Sequence, residues 1–244
     1  VANTRTQLLF FSTDGMAYKL KTWRLPLGAR TAKGKAIVNI LPIQAGVSIA
    51  AVMPVDAPEE EWEKLQIIFS TSSGDVRRNA LSDFTNVRSN GKIAMDLPED
   101  ITLVNARIAN EDDDVMLVTD SGRAIRFSTT AVRVFKGRKS TGVRGIKLLG
   151  DDKVVSMSII RHFEASPDER SAYLKMRRAV AGMSDDAVGS PEEEEDEEIN
   201  ANATITPERY AEMSAAENLI LTITASGSGK LSSSHDYPVR GRGG

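Results

Sequence analysis

The stretch Leu8–Leu20, LLFFSTDGMAYKL, recurs with variations three times along the chain: IIFSTSSGDVRRN at Ile67–Asn79, VMLVTDSGRAIRF at Val115–Phe127 and LILTITASGSGKL at Leu219–Leu231. Each copy is an apolar run, a turn of Ser, Thr, Ala or Asp closed by Gly, and a second run that carries a basic residue. Branched and aromatic residues suit a pleated surface. Gly15, Gly74, Gly122 and Gly227 supply the positive φ that tight turns need, so each copy predicts a β-hairpin.

A second motif follows each hairpin at similar distance: ARTAKGKAIVNIL (Ala29–Leu41), NVRSNGKIAMDL (Asn86–Leu97) and GRKSTGVRGIKLL (Gly137–Leu149), with YPVRGRGG (Tyr237–Gly244) as the start of a fourth. The turn glycines lie 59 residues apart from Gly15 to Gly74 and 48 apart from Gly74 to Gly122. The next interval is 105, and removing residues 164 to 217 reduces it to 51. One insertion therefore accounts for the outlier. A period near fifty, with about four short strands per unit, is the arithmetic of propeller blades that bury their faces against one another. The predicted fold is all-β and propeller-like, with blades at about 1–56, 57–108 and 109–163 and a partial blade at 218–244.

The insertion at 164–217 has a different grammar. Ser166-Pro167-Asp168-Glu169 reads as an N-cap, a proline at the first helical position and a capping-box glutamate, and the helix is predicted to run to Gly182. Thr206-Pro207-Glu208 opens a second, shorter helix ending near Glu217. Between them the run from Asp185 to Glu198 has the low hydrophobicity and high charge of a disordered tether. The alternative for that run is an intramolecular polyanion that competes with a nucleic acid.

Charge is segregated in the same way. Residues 184–217 hold twelve acidic side chains against one basic, a net of −11, while the rest holds thirty basic against twenty-two acidic, a net of +8. The overall −3 hides a basic body with an acidic appendage. There are no cysteines, which excludes disulfides and thiolate metal sites and fits a reducing cytoplasm. The most apolar stretch, Ile40–Val55, is broken by Pro42, Gln44, Gly46 and Pro54, so a soluble, non-membrane protein is expected. His162 and His235 have no metal-ligand spacing and no nearby nucleophile signature, and Gly227-Ser228-Gly229-Lys230 lacks the spacing of a phosphate loop. No catalytic or metal-binding set emerges. The chain starts without a leader and stops within a basic, glycine-rich stretch, so both ends read as cut.

Positive charge recurs at matched positions. Lys19, Arg78 (with Arg77 beside it), Arg126 and Lys230 follow the turn glycines; Arg30, Lys33, Lys35, Arg88, Lys92, Arg138, Lys139, Arg144, Lys147, Arg240 and Arg242 lie in the second motif. Because blades superpose, such residues are expected to form a belt on one rim. Cations interleaved with Gly, Ser and Thr suit a phosphate backbone, and the scarcity of aromatic residues argues against stacked single strands. The expected partner is double-stranded DNA, bound without sequence readout.

VANTRTQLLFFSTDGMAYKLKTWRLP with AKGKAIVNILP, and VMLVTDSGRAIRF with STGVRGIKL, resemble blades of the C-terminal domain of the DNA gyrase A subunit. The resemblance covers about residues 1–163 and 218–244. It implies a β-pinwheel, a ring whose blades exchange strands and whose basic rim wraps duplex DNA, supporting ATP-dependent negative supercoiling by a type IIA topoisomerase. It implies that the catalytic tyrosine, the ATP site and Mg belong to other parts of the parent, so this domain needs no cofactor. The partners it implies are DNA, the gyrase A N-terminal domain and gyrase B, in the cytoplasm at the nucleoid, with the isolated domain monomeric. The rival readings are the A-type subunit of topoisomerase IV, whose ring is less regular, and a protein-binding propeller, whose WD or kelch signatures are missing.

Overall fold

The computed structural model describes residues 2–182 and 203–243, and the acidic run Asp185–Glu198 lies outside the described residues. The chain divides into two compact units, one of Val1–Ile159 with Arg240–Gly244 and one of Ile160–Val239.

The first unit is built from three similar sheets. In the first, β1 (Gln7–Ser12) pairs antiparallel with β2 (Met16–Lys21) and with β3 (Ile49–Val55). In the second, β4 (Gln66–Thr71) lies between β5 (Asp75–Ala80) and a third strand, Leu103–Ala109. The strand that completes each of the first two sheets comes from the following repeat. β6 (Lys92–Ile93) crosses back to pair with β2, giving the order β3-β1-β2-β6. With Leu103–Ala109 numbered β7, the third sheet contains β8 (Asp113–Thr119), β9 (Ala124–Ser128) and β11 (Val154–Arg161), in the order β11-β8-β9. Its repeat donates β10 (Val143–Arg144) to β5. Strand exchange between blades is therefore present, and the fold is a β-pinwheel.

Each hairpin turn closes in the same manner. The glycine N–H donates to the residue three before it, at 2.9 Å for Gly15 to Ser12, 3.1 Å for Gly74 to Thr71 and 3.0 Å for Gly122 to Thr119. The glycine carbonyls then capture the visiting segment: Gly15 accepts from Ala94 (2.8 Å) and Met95 (3.0 Å), and Gly74 from Gly145 (2.8 Å) and Ile146 (3.2 Å). A Cβ on Gly15 would stand 2.1 Å from the Met95 oxygen, and φ is +81° there. Glycine is thus required twice over, for the turn and for the close approach.

Between blades the strands are covered on both faces, which is why β1 and β4 read as nearly continuous apolar runs rather than alternating ones. Phe11, Phe69 and Phe84 meet edge to face, with centroids 5.4–5.9 Å apart, in a core that includes Leu9, Trp62 and Ile67. A second core joins Ile68 and Val76 to Val115, Leu117 and Phe127 of the next blade. Burying each such side chain is worth about 1.5–3 kcal/mol, and these interblade cores are the main source of cohesion.

The second unit contains α1 (Pro167–Val180), α2 (Pro207–Ala216) and a hairpin of β12 (Leu219–Ile223) with β13 (Gly229–Ser233). Ser166 and Glu169 form the capping box, and the Thr206 hydroxyl caps α2 by accepting from the Arg209 N–H. Buried His235 sits among Phe163 and Tyr173, with Nε2 2.9 Å from the Met213 carbonyl oxygen.

Candidate nucleic-acid interface

The cations of the outgoing hairpin strands face inward in the three full blades. Lys19 Nζ is 3.0 Å from Glu59 Oε1, donates to the Thr85 carbonyl, and stands over the Trp62 ring. Arg126 Nε donates to Asp114 Oδ2 at 2.8 Å, with both side chains almost wholly buried. Arg78 is also buried, and its Nε and Nη1 have no hydrogen-bond partner. Arg77, fully buried, donates from Nε to Asn79 Oδ1 (2.9 Å), from Nη1 to the Ser140 carbonyl (2.6 Å) and from Nη2 to the Ala94 carbonyl. Burial pulls its pKa down to about 10, against the field of Asp83 and with that of Arg138.

These positions correct the expectation of a single basic belt. Arg77, Arg78 and Arg126 are interior residues, because the outgoing strand is flanked by its hairpin partner, the visiting strand and the next blade. A guanidinium there cannot reach a phosphate outside. Arg77 instead ties together two exchange segments, since Ala94 follows β6 and Ser140 precedes β10. Lys19 is largely committed to Glu59.

The second motif is different. Arg30, Lys33 and Lys35 are exposed on a loop, and Arg88, Lys139, Arg144, Lys147 and Arg242 are at least partly exposed on the segments that run between blades. Lys92, Arg138 and Arg240 are also at least partly exposed. In the second unit, Lys230 is exposed on β13. Two of these bases are anchored by backbone contacts. Arg242 donates to the carbonyls of Arg144 (2.6 Å) and Ala131 (3.2 Å), and Arg240 N–H donates to the Arg126 carbonyl at 2.7 Å.

The structure also brings in exposed bases that the repeated motifs do not single out. Arg123, just after the third turn glycine, donates to the Lys147 carbonyl at 3.0 Å, and Arg133 lies over the Phe135 ring. The signal that marks them in the sequence is simply the density of bases from Arg123 to Lys147.

Two clefts adjoin the exchange segments. One, of about 260 Å³, is lined by Asp14, Tyr18, Pro42, Gln44 and Asp96 among others, and its carboxylates disfavour an anion. The other, of about 510 Å³, is lined by Asn86, Val87, Arg88, Gly91, Lys92 and Arg138. Burial, and then the neighbouring Arg138, lower the Lys92 ammonium below its usual range against the opposing field of Asp83. Among the described residues no group of three or more His, Cys, Asp and Glu is placed to hold a metal, and no helix is long and apolar enough to cross a membrane.

A β domain of successive small antiparallel sheets, two of them completed to four strands by a strand lent from the next repeat, with solvent-facing arginines and lysines on the lending segments, belongs to the propeller class. The chain belongs to the DNA gyrase C-terminal domain, beta-propeller family, which matches residues 6–56, 66–110, 113–161 and 218–244. It is 47% identical to the DNA gyrase A subunit of Granulibacter bethesdensis and 41% identical to that of Rickettsia bellii. Both matches cover all of this chain and only 27% and 26% of the relatives, so the chain spans about a quarter of their length. Among solved structures, the C-terminal domain of a DNA topoisomerase IV shares 26% identity at a TM-score of 0.58, covering 68% of this chain and 49% of that one. A DNA gyrase A C-terminal domain, at 22% identity and a TM-score of 0.52 over 65% of this chain and 49% of that one, supports the fold alone.

Proposed function

We propose that the chain grips double-stranded DNA by its phosphate backbone, as the wrapping domain of a gyrase A protein, and so supports negative supercoiling by the whole enzyme. The catalytic tyrosine and the ATP and Mg sites would then lie in other parts of the parent, which acts with the gyrase A N-terminal domain and gyrase B in the cytoplasm. The carrying observation is that Arg88, Lys139 and Arg144 reach solvent on successive lending segments with no carboxylate paired to them among the described residues, whereas Lys19 and Arg126 of the hairpins are paired with Glu59 and Asp114.

Such a surface suits wrapping. Curving 20–30 base pairs costs about 1–6 kcal/mol, and many separate phosphate contacts can offset that cost. Among the described residues the first unit holds no α-helix, and its hairpins are built into the blade sheets, which favours binding without base readout. Fluorescence anisotropy with duplex DNA across a salt series tests the reading: the logarithm of the affinity should fall by about 0.9 per neutralised phosphate for each decade of salt. A flat response would rule out a grip on the phosphate backbone. The likeness to a topoisomerase IV domain supports a second reading, a decatenating parent, and a supercoiling assay of the parent enzyme separates the two.

A further inference from the structure

We propose that the cleft lined by Arg88, Lys92 and Arg138 is a preformed site for a single phosphate group. It lies where two lending segments meet, one carrying Arg88 and Lys92 and the next carrying Arg138, and its lining includes no carboxylate. Its walls are held in place before any ligand arrives. Lys92 lies in β6, opposite Ala17, and Nζ donates one proton to the Asp83 carbonyl at 2.5 Å, leaving two protons uncommitted. Gly91 packs against the Tyr18 ring, so closely that a Cβ would lie 2.7 Å from it, and its N–H donates to the Arg88 carbonyl at 2.9 Å. The Arg138 carbonyl accepts from the Asp96 N–H at 3.0 Å.

Three cations gathered around one space repel one another, and for Lys92 the nearby carboxylate of Asp83 offsets this only in part. Its Oδ2 accepts from Asn79 Nδ2 at 3.0 Å, and its pull on Lys92 is smaller than the opposing push of Arg138. A tetrahedral oxyanion relieves that repulsion. It also accepts from two forked guanidiniums and an ammonium, a donor set that matches phosphate better than chloride. The position of Lys92 is Val143 in the next segment, and although it is Lys35 in the preceding one, the positions of Arg88 and Arg138 in the segments before them are Thr31 and Val87, so the three cations come together at this junction and are not a general property of the repeat. The phosphate has two possible sources, a phosphodiester of duplex DNA or a free phosphate; only the first rests on the DNA-binding reading above.

The test is an NMR titration of the 244-residue chain with inorganic phosphate, at an ionic strength kept constant with chloride. Saturable shifts are expected at the amides of residues 88–92 and 138. Arg88→Gln and Arg138→Gln should each weaken the affinity about tenfold, the loss typical of one charge-assisted hydrogen bond, while Lys64→Gln, at an exposed lysine outside the cleft, should leave it unchanged. Both arginines are at least partly exposed, and thermal unfolding of each variant checks that it still folds. No saturation beyond the chloride control, or an equal loss with Lys64→Gln, would overturn the site even if duplex binding were intact. A second arm measures duplex DNA. If Arg138→Gln weakens duplex binding and abolishes competition by phosphate, the occupant is the DNA backbone; if it abolishes phosphate binding but leaves the duplex untouched, the site stands with free phosphate as its occupant.

Discussion

On the outgoing strands of the first three hairpins, Lys19, Arg78 and Arg126 turn into the protein; on the lending segments, Arg88, Lys139 and Arg144 reach water. Both sets are basic and both recur with the repeat. They differ in what recurs with them. Two of the inward cations meet a carboxylate, Glu59 for Lys19 and Asp114 for Arg126, which offsets the cost of removing a charge from water. The outward set has no such acids paired to it among the described residues. Blade two differs: Arg78 occupies the position of Arg126, but Gln66, like Gln7 in blade one, occupies that of Asp114, no acid from elsewhere replaces it as Glu59 does for Lys19, and Gln66 Oε1 is left as unsatisfied as Arg78 Nε and Nη1. A recurring base therefore does not by itself mark a binding surface: Arg77, Arg78 and Arg126 report packing whether or not an acid stands beside them, and only the exposed bases of the lending segments are placed to meet an external anion.

That contrast can be broken most forcefully at Asp114. Asp114→Ala strips Arg126 of its carboxylate and should cost about 3–5 kcal/mol in urea unfolding; a loss below about 1 kcal/mol would mean that the inward cations are not part of the core. Arg77→Met leaves the Ala94 and Ser140 carbonyls without their donor and should cost about 2–3 kcal/mol by the same assay. Its duplex affinity, measured where the protein is fully folded, should be unchanged. Gln66→Asp gives Arg78 the partner that Arg126 already has, and a gain of about 1 kcal/mol is expected. No gain would show that blade two accommodates its arginine in another way. Lys139→Gln should have the smallest effect on stability, within about 0.5 kcal/mol, yet lower the salt dependence of duplex binding by about 0.9 if that lysine contacts a phosphate.

The hairpins are legible in the sequence because their apolar runs and turn glycines are dictated locally, and α1 and α2 because Ser166-Pro167 and Thr206-Pro207 spell out helix starts. β6 and β10 are not legible as strands. Two residues carry no alternation, and what makes Lys92–Ile93 a strand is the edge of another blade, visible in sequence only through the family resemblance. The inward arginines mislead for a related reason: arginine by itself suggests a surface, and its burial depends on Asp114 or on the distant Ala94 and Ser140 carbonyls. The cleft formed by Arg88, Lys92 and Arg138 requires two segments some fifty residues apart to meet, which spacing alone does not fix.

The lending of β6 and β10 bears on how such a domain changes length over evolutionary time. If an internal repeat is duplicated or lost, every sheet that precedes another still has a successor to supply its outermost strand. Trimming from the C-terminal side instead leaves the last surviving sheet with a bare row of amides and carbonyls, open to any chain that happens to fit. Growth and shrinkage by whole repeats are thus gentler in the middle than at the tail, where the loss of one repeat exposes its neighbour.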